Sequence, residues 1–299
     1  MAAPAEIEKL LADYLGYLEI EKNRSRKTTE NYRRYLRRFI DTVGITKVSD
    51  ITPEAVRDFR VALARTNIKK ITQAYYAIAI RTFLAYLVKR GVKALAPETI
   101  ELPKISRRDI EPLDNRELER LLEAPKGNNL RALRDRALLE TLFSTGLRVS
   151  ELCGLNRYLD LERGEISVRG KGDKVRVVFL AEEARRKVRD YLAKRGDTEE
   201  ALFVSLTRSG KVIGRITPRA VQRLVDRYAR TVGIPQKVHP HQLRHSFATD
   251  LLINGADLRS VQELLGHANI STTQVYTHLT NKELKEVHEA FHARRRRGK

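Results

Sequence analysis

Apolar residues recur at three- and four-residue intervals along most of the chain, the spacing of helices with one buried face. Ile7, Leu10, Leu11, Tyr14, Leu15 and Leu18 mark a first helix. After the basic break N-R-S-R-K-T-T, a second carries Tyr32, Tyr35, Leu36, Phe39 and Ile40 on one side and Arg33, Arg34, Arg37 and Arg38 on the other. Val43-Gly44 ends it. Thr52-Pro53-Glu54 supplies an N-cap with proline in the first turn, opening a third helix through Val56, Phe59 and Leu63. A fourth spans about residues 70–90, with Ile71, Tyr75, Ile78, Phe83 and Leu87 as expected core positions, and stops at Gly91. No strand pattern interrupts this stretch, which predicts a four-helix domain.

Residues 97–112 break the pattern with Pro97, Pro103 and Pro112 around the basic Lys104, Arg107 and Arg108. The expected division is therefore a helical domain over 1–103, a linker over 104–113 and a second domain over 114–299. Asp114-Asn-Arg-Glu117 reads as a capping box that starts the second domain. Leu133, Ala137, Leu138, Leu142 and Phe143 mark a buried helix, and Gly146 can take the left-handed position that ends it. Arg148 and Glu151 follow, three apart on a short new helix. From Gly164 the period changes to two. E-I-S-V-R, the turn G-K-G-D and K-V-R-V-V-F-L predict a β-hairpin with Lys171 at its tip, and A-L-F-V-S at residues 201–205 predicts a third strand.

Helical spacing resumes at Thr217-Pro218 through Val221, Leu224, Val225 and Tyr228, with Arg219, Arg223 and Arg227 in a stripe. Pro240 opens the next helix, anchored by Leu243, Phe247 and Leu251, with His241 and Arg244 three apart on a neighbouring face. Gly255 closes it, and another helix starts near Asp257 and ends at Leu265-Gly266-His267. Tyr276 comes nine residues later, after the polar S-T-T. A last helix carries the stripe Leu284, Val287, His288 and Phe291, which needs a partner surface, before the basic tail from Arg294 to Arg297. The whole reads as a mainly α protein with one small antiparallel sheet in its second domain.

At 299 residues, two domains are the default. Lys and Arg number 58 against 38 Asp and Glu, a formal charge of +20 that favours nucleic acid or an anionic surface as partner. Composition alone suits a ribosomal or chromatin protein equally well. No run approaches the roughly 18 apolar residues of a membrane span, and the N-terminus lacks a signal peptide's apolar core, so a cytoplasmic protein without a membrane partner is expected. The lone Cys153 lies among apolar neighbours and is expected to be a buried, inert thiol. Two readings stay open for the charges over residues 22–38 and for the arginine stripe near residue 220: a solvated helix face, or contact with DNA.

The residues between His239 and His278 suggest a chemistry. A tyrosine hydroxyl becomes a covalent nucleophile when a neighbour takes its proton. Arginine forks match the non-bridging oxygens of a phosphate, and histidines shuttle protons near pH 7. His239, His241 and His245 have no second cysteine or carboxylate at ligand spacing, so neither metal nor cofactor is expected.

H-x-L-R-H, then L-G-H, then the tyrosine resemble the tyrosine recombinases of the phage integrase family. A-T-x-L-L-x-x-G-A-D-L-R-x-V-Q-x-L-L-G-H and S-T-T-Q-x-Y-T-H are similar to its Xer branch. T-G-L-R-x-S-E-L and R-G-K-G-x-K-x-R stand upstream in family order, and the resemblance runs over nearly the whole chain. It implies a DNA breaking–rejoining fold with an N-terminal core-binding, SAM-like domain and a catalytic domain. It also implies a site-specific recombinase with type IB topoisomerase-like chemistry, resolving chromosome or plasmid dimers at the nucleoid. Carried over, Tyr276 is the nucleophile that forms a 3′-phosphotyrosine, Arg148 and Arg244 grip the scissile phosphate, and Lys171 is the general acid. His241 takes or holds the tyrosine proton, His267 donates to the phosphate, and Glu151 orders the site from behind.

The DNA contacts implied are Arg24, Arg26 and Lys27 at the arm–helix junction, Arg33, the linker residues Lys104 and Arg107, the hairpin residues Lys174 and Arg176, and Arg219 and Arg223. The implied partners are double-stranded DNA and a homo- or hetero-tetramer on two duplexes, the C-terminal helix docking into the neighbouring protomer. A part for a DNA translocase is left open. A mobile-element integrase of the same chemistry and a non-catalytic DNA-binding or architectural protein are the alternatives. The chain departs from the family near Arg157-Tyr158, where a tryptophan or aspartate is expected, and at Phe179, where proline is common.

Overall fold

Four amphipathic helices build the first of two units into which the chain divides, Met1–Arg108 and Asp109–Lys299. The computed structural model describes residues 6–103, 113–170, 175–266 and Glu289. The first unit contains α1 (Glu6–Ile20), α2 (Arg26–Val43), α3 (Pro53–Ala64) and α4 (Lys70–Lys89). The Ser25 hydroxyl accepts from Thr28 N at 3.3 Å to cap α2, and the Thr52 hydroxyl accepts from Ala55 N at 3.1 Å to cap α3. Tyr14, Leu36, Phe39, Phe59, Phe83 and Leu87 lie in one buried cluster between the helices.

The expected core positions of α4 need correction. Ile71 and Tyr75 are exposed and Ile78 is half-buried, whereas Ala74, Tyr76, Ala77, Ala79 and Ile80 are buried beside Phe83 and Leu87. The buried face is built partly from alanines, whose small side chains let α2 and α3 approach. A pattern weighted toward large apolar residues selects the wrong phase in the first half of α4 and the right one at Phe83 and Leu87. α4 is long and apolar enough to cross a membrane by length and composition, but here it is a core helix of its unit.

The second unit begins with the expected capping box: Glu117 N donates to Asp114 at 2.7 Å and Asp114 N donates to Glu117 at 3.2 Å. It holds α5 (Asn115–Leu122), α6 (Leu130–Thr145), α7 (Val149–Gly154), β1 (Glu165–Arg169), β2 (Val175–Phe179) and α8 (Glu182–Ala193). These are followed by β3 (Val204–Leu206), β4 (Val212–Arg215), α9 (Pro218–Thr231), α10 (Pro240–Ile253) and α11 (Leu258–Leu265). α6 is the central helix. Ala137, Leu138, Leu139 and Leu142 are fully buried, and α8 and α10 pack against it.

β1 and β2 pair antiparallel with Ile166 opposite Val178 and Val168 opposite Arg176. The described residues carry two small sheets where one is expected. The third strand is displaced to Val204–Leu206 and pairs with β4, while Ala201 makes only an isolated bridge to Asn156. β4 is four residues long and contains Gly214, too short a run to betray period two. Cys153 is buried, its thiol pushed up to about 11 by burial. The stripe from Leu284 to Phe291 and the tail from Arg294 lie outside the described residues.

Leu243, Phe247 and Leu251 are buried and anchor α10 as their spacing predicts. Phe247 packs onto the end of α6, where Gly146 has a φ of 59°. A Cβ there would collide with the Phe247 ring and come within 3.0 Å of Leu265. Gly146→Ala should therefore destabilise the second unit by about 2 kcal/mol or more, through backbone strain and overpacking together. Urea unfolding followed by circular dichroism measures the loss, which a neutral result would contradict.

Candidate active site

The last three carbonyls of the α11 segment are each taken by a different arginine. Arg176 on β2 donates from Nε to Leu264 O at 3.1 Å. Arg244 on α10 donates from Nη2 to Leu265 O at 2.6 Å, and Arg148, at the start of α7, donates from Nη2 to Gly266 O at 3.0 Å. Terminal carbonyls of a helix have no partner within it and carry the negative end of its dipole, so cations are favoured there. Gly266 closes α11 in the left-handed conformation, with a φ of 63°.

Each arginine reaches this point for a local reason. Gly146 ends α6 and turns the chain so that Arg148 becomes the N-cap of α7. Glu151, in the first turn of α7, accepts from Arg148 N at 2.8 Å and from its Nη1 at 2.8 Å. Arg244 lies on the face of α10 beside its apolar anchors, only 3% exposed, and its Nη1 donates back to Gly146 O at 2.6 Å. Burial and then the nearby Arg148 and Arg176 lower its pKa to about 10, so it keeps its charge at neutral pH.

Arg176 completes the cluster. It meets Glu151 as a fork, Nη1 to Oε1 at 3.0 Å and Nη2 to Oε2 at 2.8 Å. Burial would raise the Glu151 carboxyl, but the hydrogen bonds from Arg176 and Arg148 prevail and bring it down to about 2. The sequence places Arg176 among the DNA contacts, whereas its side chain is 12% exposed and turned into this network. Alternation along β2 puts Arg176 on the face of the buried Val178 and opposite the buried Val168, a signal that its charge masked.

His241 stands one turn before Arg244 on α10 and is open to solvent. Partial burial, then the neighbouring Arg244, His245 and Arg148, lower its pKa below the usual 6.5, which favours the neutral ring at pH 7. His239 N donates to Gln242 at 2.9 Å, and His245 is exposed. The structure thus brings together Arg148, Glu151, Arg176, His241 and Arg244. Lys171, His267 and Tyr276 lie outside the described residues, as do Lys104, Arg107 and Lys174.

Arg24, Arg26, Lys27 and Arg33 are exposed on the first unit, with Arg26 beside Glu30 at 3.2 Å. On the second, Arg219 and Arg223 are exposed along α9. Asp135 pins that helix to α6: it accepts from Tyr228 at 2.9 Å, from Arg227 at 3.3 Å and from the buried Arg134 at 2.6 Å. Arg131, Arg134, Arg223 and Arg227 line a groove of about 350 Å³ beside β3. Arg131 and Arg134 stand in the charged first half of α6, L-R-A-L-R-D-R, ahead of the apolar stretch from Ala137, and carry no motif that marks them.

The family model described as the phage integrase family matches residues 111–283, and that of the phage integrase N-terminal SAM-like domain matches residues 11–91. The chain is 40% identical over 294 residues to tyrosine recombinase XerC of Salmonella typhi, covering 96% of each chain. It is 37% identical over 288 residues to tyrosine recombinase XerC of Thermodesulfovibrio yellowstonii, covering 94% of this chain and 95% of that one. Among solved structures it is similar to the XerH site-specific recombinase bound to difH substrate in a pre-cleavage complex. That match has a TM-score of 0.64 and 26% identity, over 89% of this chain and 79% of the other.

The depressed Glu151 carboxyl makes stability depend on pH in a defined window. Its contribution is full above the ordinary value of 4.5 and is lost as pH falls toward the folded value of about 2. Glu151→Gln should be less stable than the parent at pH 7 by about 2 kcal/mol or more, because a buried ion pair is broken from one side. The gap should narrow as pH falls through that window. Urea midpoints at pH 7 and pH 3 test this, and a gap that widens in acid contradicts it.

Proposed function

The chain belongs to the phage integrase family, and we propose that it works as a site-specific DNA recombinase cutting and rejoining strands through a covalent 3′-phosphotyrosyl intermediate. The observation that carries this reading is the convergence of Arg148 and Arg244 on successive carbonyls, with His241 one turn from Arg244. Two guanidinia held so close suit the two non-bridging oxygens of one phosphodiester.

In this mechanism Tyr276 Oη attacks the scissile phosphorus, and the bond to the 5′ oxygen breaks as the bond to Tyr276 forms. His241, poised neutral, accepts the tyrosine proton. Lys171 protonates the departing 5′ oxygen. Arg148, Arg244 and His267 stabilise the charge that grows on the phosphoryl oxygens. A free tyrosine titrates near pH 10, so ionising it at pH 7 costs about 4 kcal/mol, which these cations and the base offset. The phosphotyrosyl bond retains the energy of the phosphodiester. The 5′-hydroxyl of a partner strand therefore reverses the step without ATP.

Residues 1–103 serve as the core-binding domain and 114–299 as the catalytic domain, with residues 104–113 as the linker. Arg24, Arg26, Lys27, Arg33, Lys104, Arg107, Lys174, Arg219 and Arg223 contact DNA. Four protomers, identical or of two related kinds, assemble on two duplexes, each inserting its C-terminal helix into a neighbour. Exchange between two sites on one circle resolves chromosome or plasmid dimers, in the cytoplasm at the nucleoid. The similarity to XerC proteins along nearly the full chain supports this role.

Two measurements test the reading. Bound duplexes are first selected from a random pool, and a nicked suicide form is then incubated with the protein. A covalent protein–DNA adduct should appear on a denaturing gel for the parent and be absent for Tyr276→Phe. An adduct unchanged in the variant removes Tyr276 as nucleophile, and tight specific binding without an adduct favours a non-catalytic DNA-binding protein. Affinity should also fall steeply with salt, by about 10³-fold or more between about 50 and 200 mM if six or more phosphates are contacted. A flat dependence contradicts the phosphate clamp.

A further inference from the structure

We infer that Arg176 is a positioning residue for DNA cleavage, holding Glu151 and the end of α11 so that Arg148 need not balance Glu151 alone when it binds the scissile phosphate. The inference rests on the recombinase reading and replaces the direct DNA contact that the sequence suggests for Arg176.

Three observations carry it. First, the guanidinium is committed to the protein: Nε, Nη1 and Nη2 donate to Leu264 O, Glu151 Oε1 and Glu151 Oε2. Arg148 has a more open side chain, 33% exposed against 12% for Arg176. Second, each oxygen of Glu151 receives one hydrogen bond from each arginine: Oε1 from the two Nη1 atoms, and Oε2 from Arg148 N and Arg176 Nη2. The carboxylate is 5% exposed and cannot be balanced by water. With Arg176 in place, its charge is offset by a second cation besides Arg148. Without it, Arg148 is the remaining partner, and its attraction to Glu151 competes with its attraction to phosphate. Third, the stem of Arg176 crosses the closing turn of α11. A Cβ on Gly266 would come within 2.8 Å of Arg176 Cδ, so the glycine leaves room for this side chain one residue before His267.

A lysine at this position would keep the charge but not the fork, and could not hold both carboxylate oxygens and the Leu264 carbonyl at once. Charge and geometry are therefore separable by substitution.

The test compares the parent with Arg176→Gln, Arg176→Lys, Glu151→Gln and the double variant Arg176→Gln/Glu151→Gln. The adduct-forming rate is measured at saturating nicked duplex, beside DNA affinity as a function of salt and unfolding midpoints. Arg176→Gln should lower the saturating rate by about tenfold or more, while affinity and its salt slope stay those of the parent. Arg176→Lys should bind DNA normally and remain slower than the parent. The rate effects of Arg176→Gln and Glu151→Gln should fail to multiply, because the two residues act as one unit. If Arg176→Gln does not fold, the lysine variant decides: a parental rate at parental affinity overturns the inference.

Several results overturn it directly. One is a folded Arg176→Gln with the parent's rate. Another is a salt slope shallower by about 0.9, the mark of a lost phosphate contact. A third is rate effects that multiply independently. No adduct from the parent overturns the recombinase reading and this inference with it, whereas an adduct from the parent and an equally fast Arg176→Gln overturn the inference alone.

Discussion

Three guanidinia gathered at the end of one short helix repel one another, and the second unit is built to hold them there. Two like charges a few ångströms apart cost several kcal/mol at an effective dielectric near 20. Glu151 and three successive carbonyls of α11 supply the opposing field. Much of the surrounding architecture serves this arrangement. α6 ends at Gly146, whose carbonyl receives Arg244, and α7 starts on Arg148. β2 carries Arg176 on its inward face, and Phe247 ties α10 to the turn after α6. Positive charge remains in excess, three guanidinia against one carboxylate.

The two units manage charge differently. In the first, basic residues stand on exposed faces. Arg37 pairs with Glu8 and Arg38 leans on the Tyr76 ring 5.7 Å away, while Arg24, Lys27 and Arg33 face water. Exposed charge is screened over roughly 10 Å in physiological salt, and it serves attraction and positioning on a polyanion more than chemistry. In the second unit the arginines around α11 are partly or wholly shielded from water. Electrostatic effects on a bound group are stronger there, and holding the cations in place costs little further reorganisation once the fold has formed.

Much of this was legible in the sequence, and the exceptions share a cause. His241 and Arg244 could be placed because Leu243, Phe247 and Leu251 define the buried side of α10. Gly146 could be placed because few residues other than glycine suit that turn. In α4 the large apolar residues mark the core at Phe83 and Leu87 but not at Ile71, Tyr75 and Ile78, because the buried face of its first half is rich in alanine. The family resemblance puts Arg176 among the DNA contacts, although the period-two pattern of β2 points it inward beside Val178. β4 escaped because four residues with a glycine give no periodicity. Where residue type and periodicity disagreed, periodicity described Arg176 correctly. In the first half of α4 periodicity itself fails, because alanine is a weak apolar marker.

The acceptors on α11 have one more consequence. Leu264, Leu265 and Gly266 offer their main-chain oxygens to the arginines, a group that every amino acid possesses. The identities of residues 264 and 265 can therefore drift among side chains of similar bulk without disturbing the polar wiring around them. Gly266 has no such latitude, because its left-handed backbone and the arginine stem beside it both exclude a side chain. Homologous chains built on this plan should vary at the two leucines within limits set by packing volume and keep the glycine. The mutational tolerance of the α11 terminus is thus governed by space, while its electrostatics are written into the backbone.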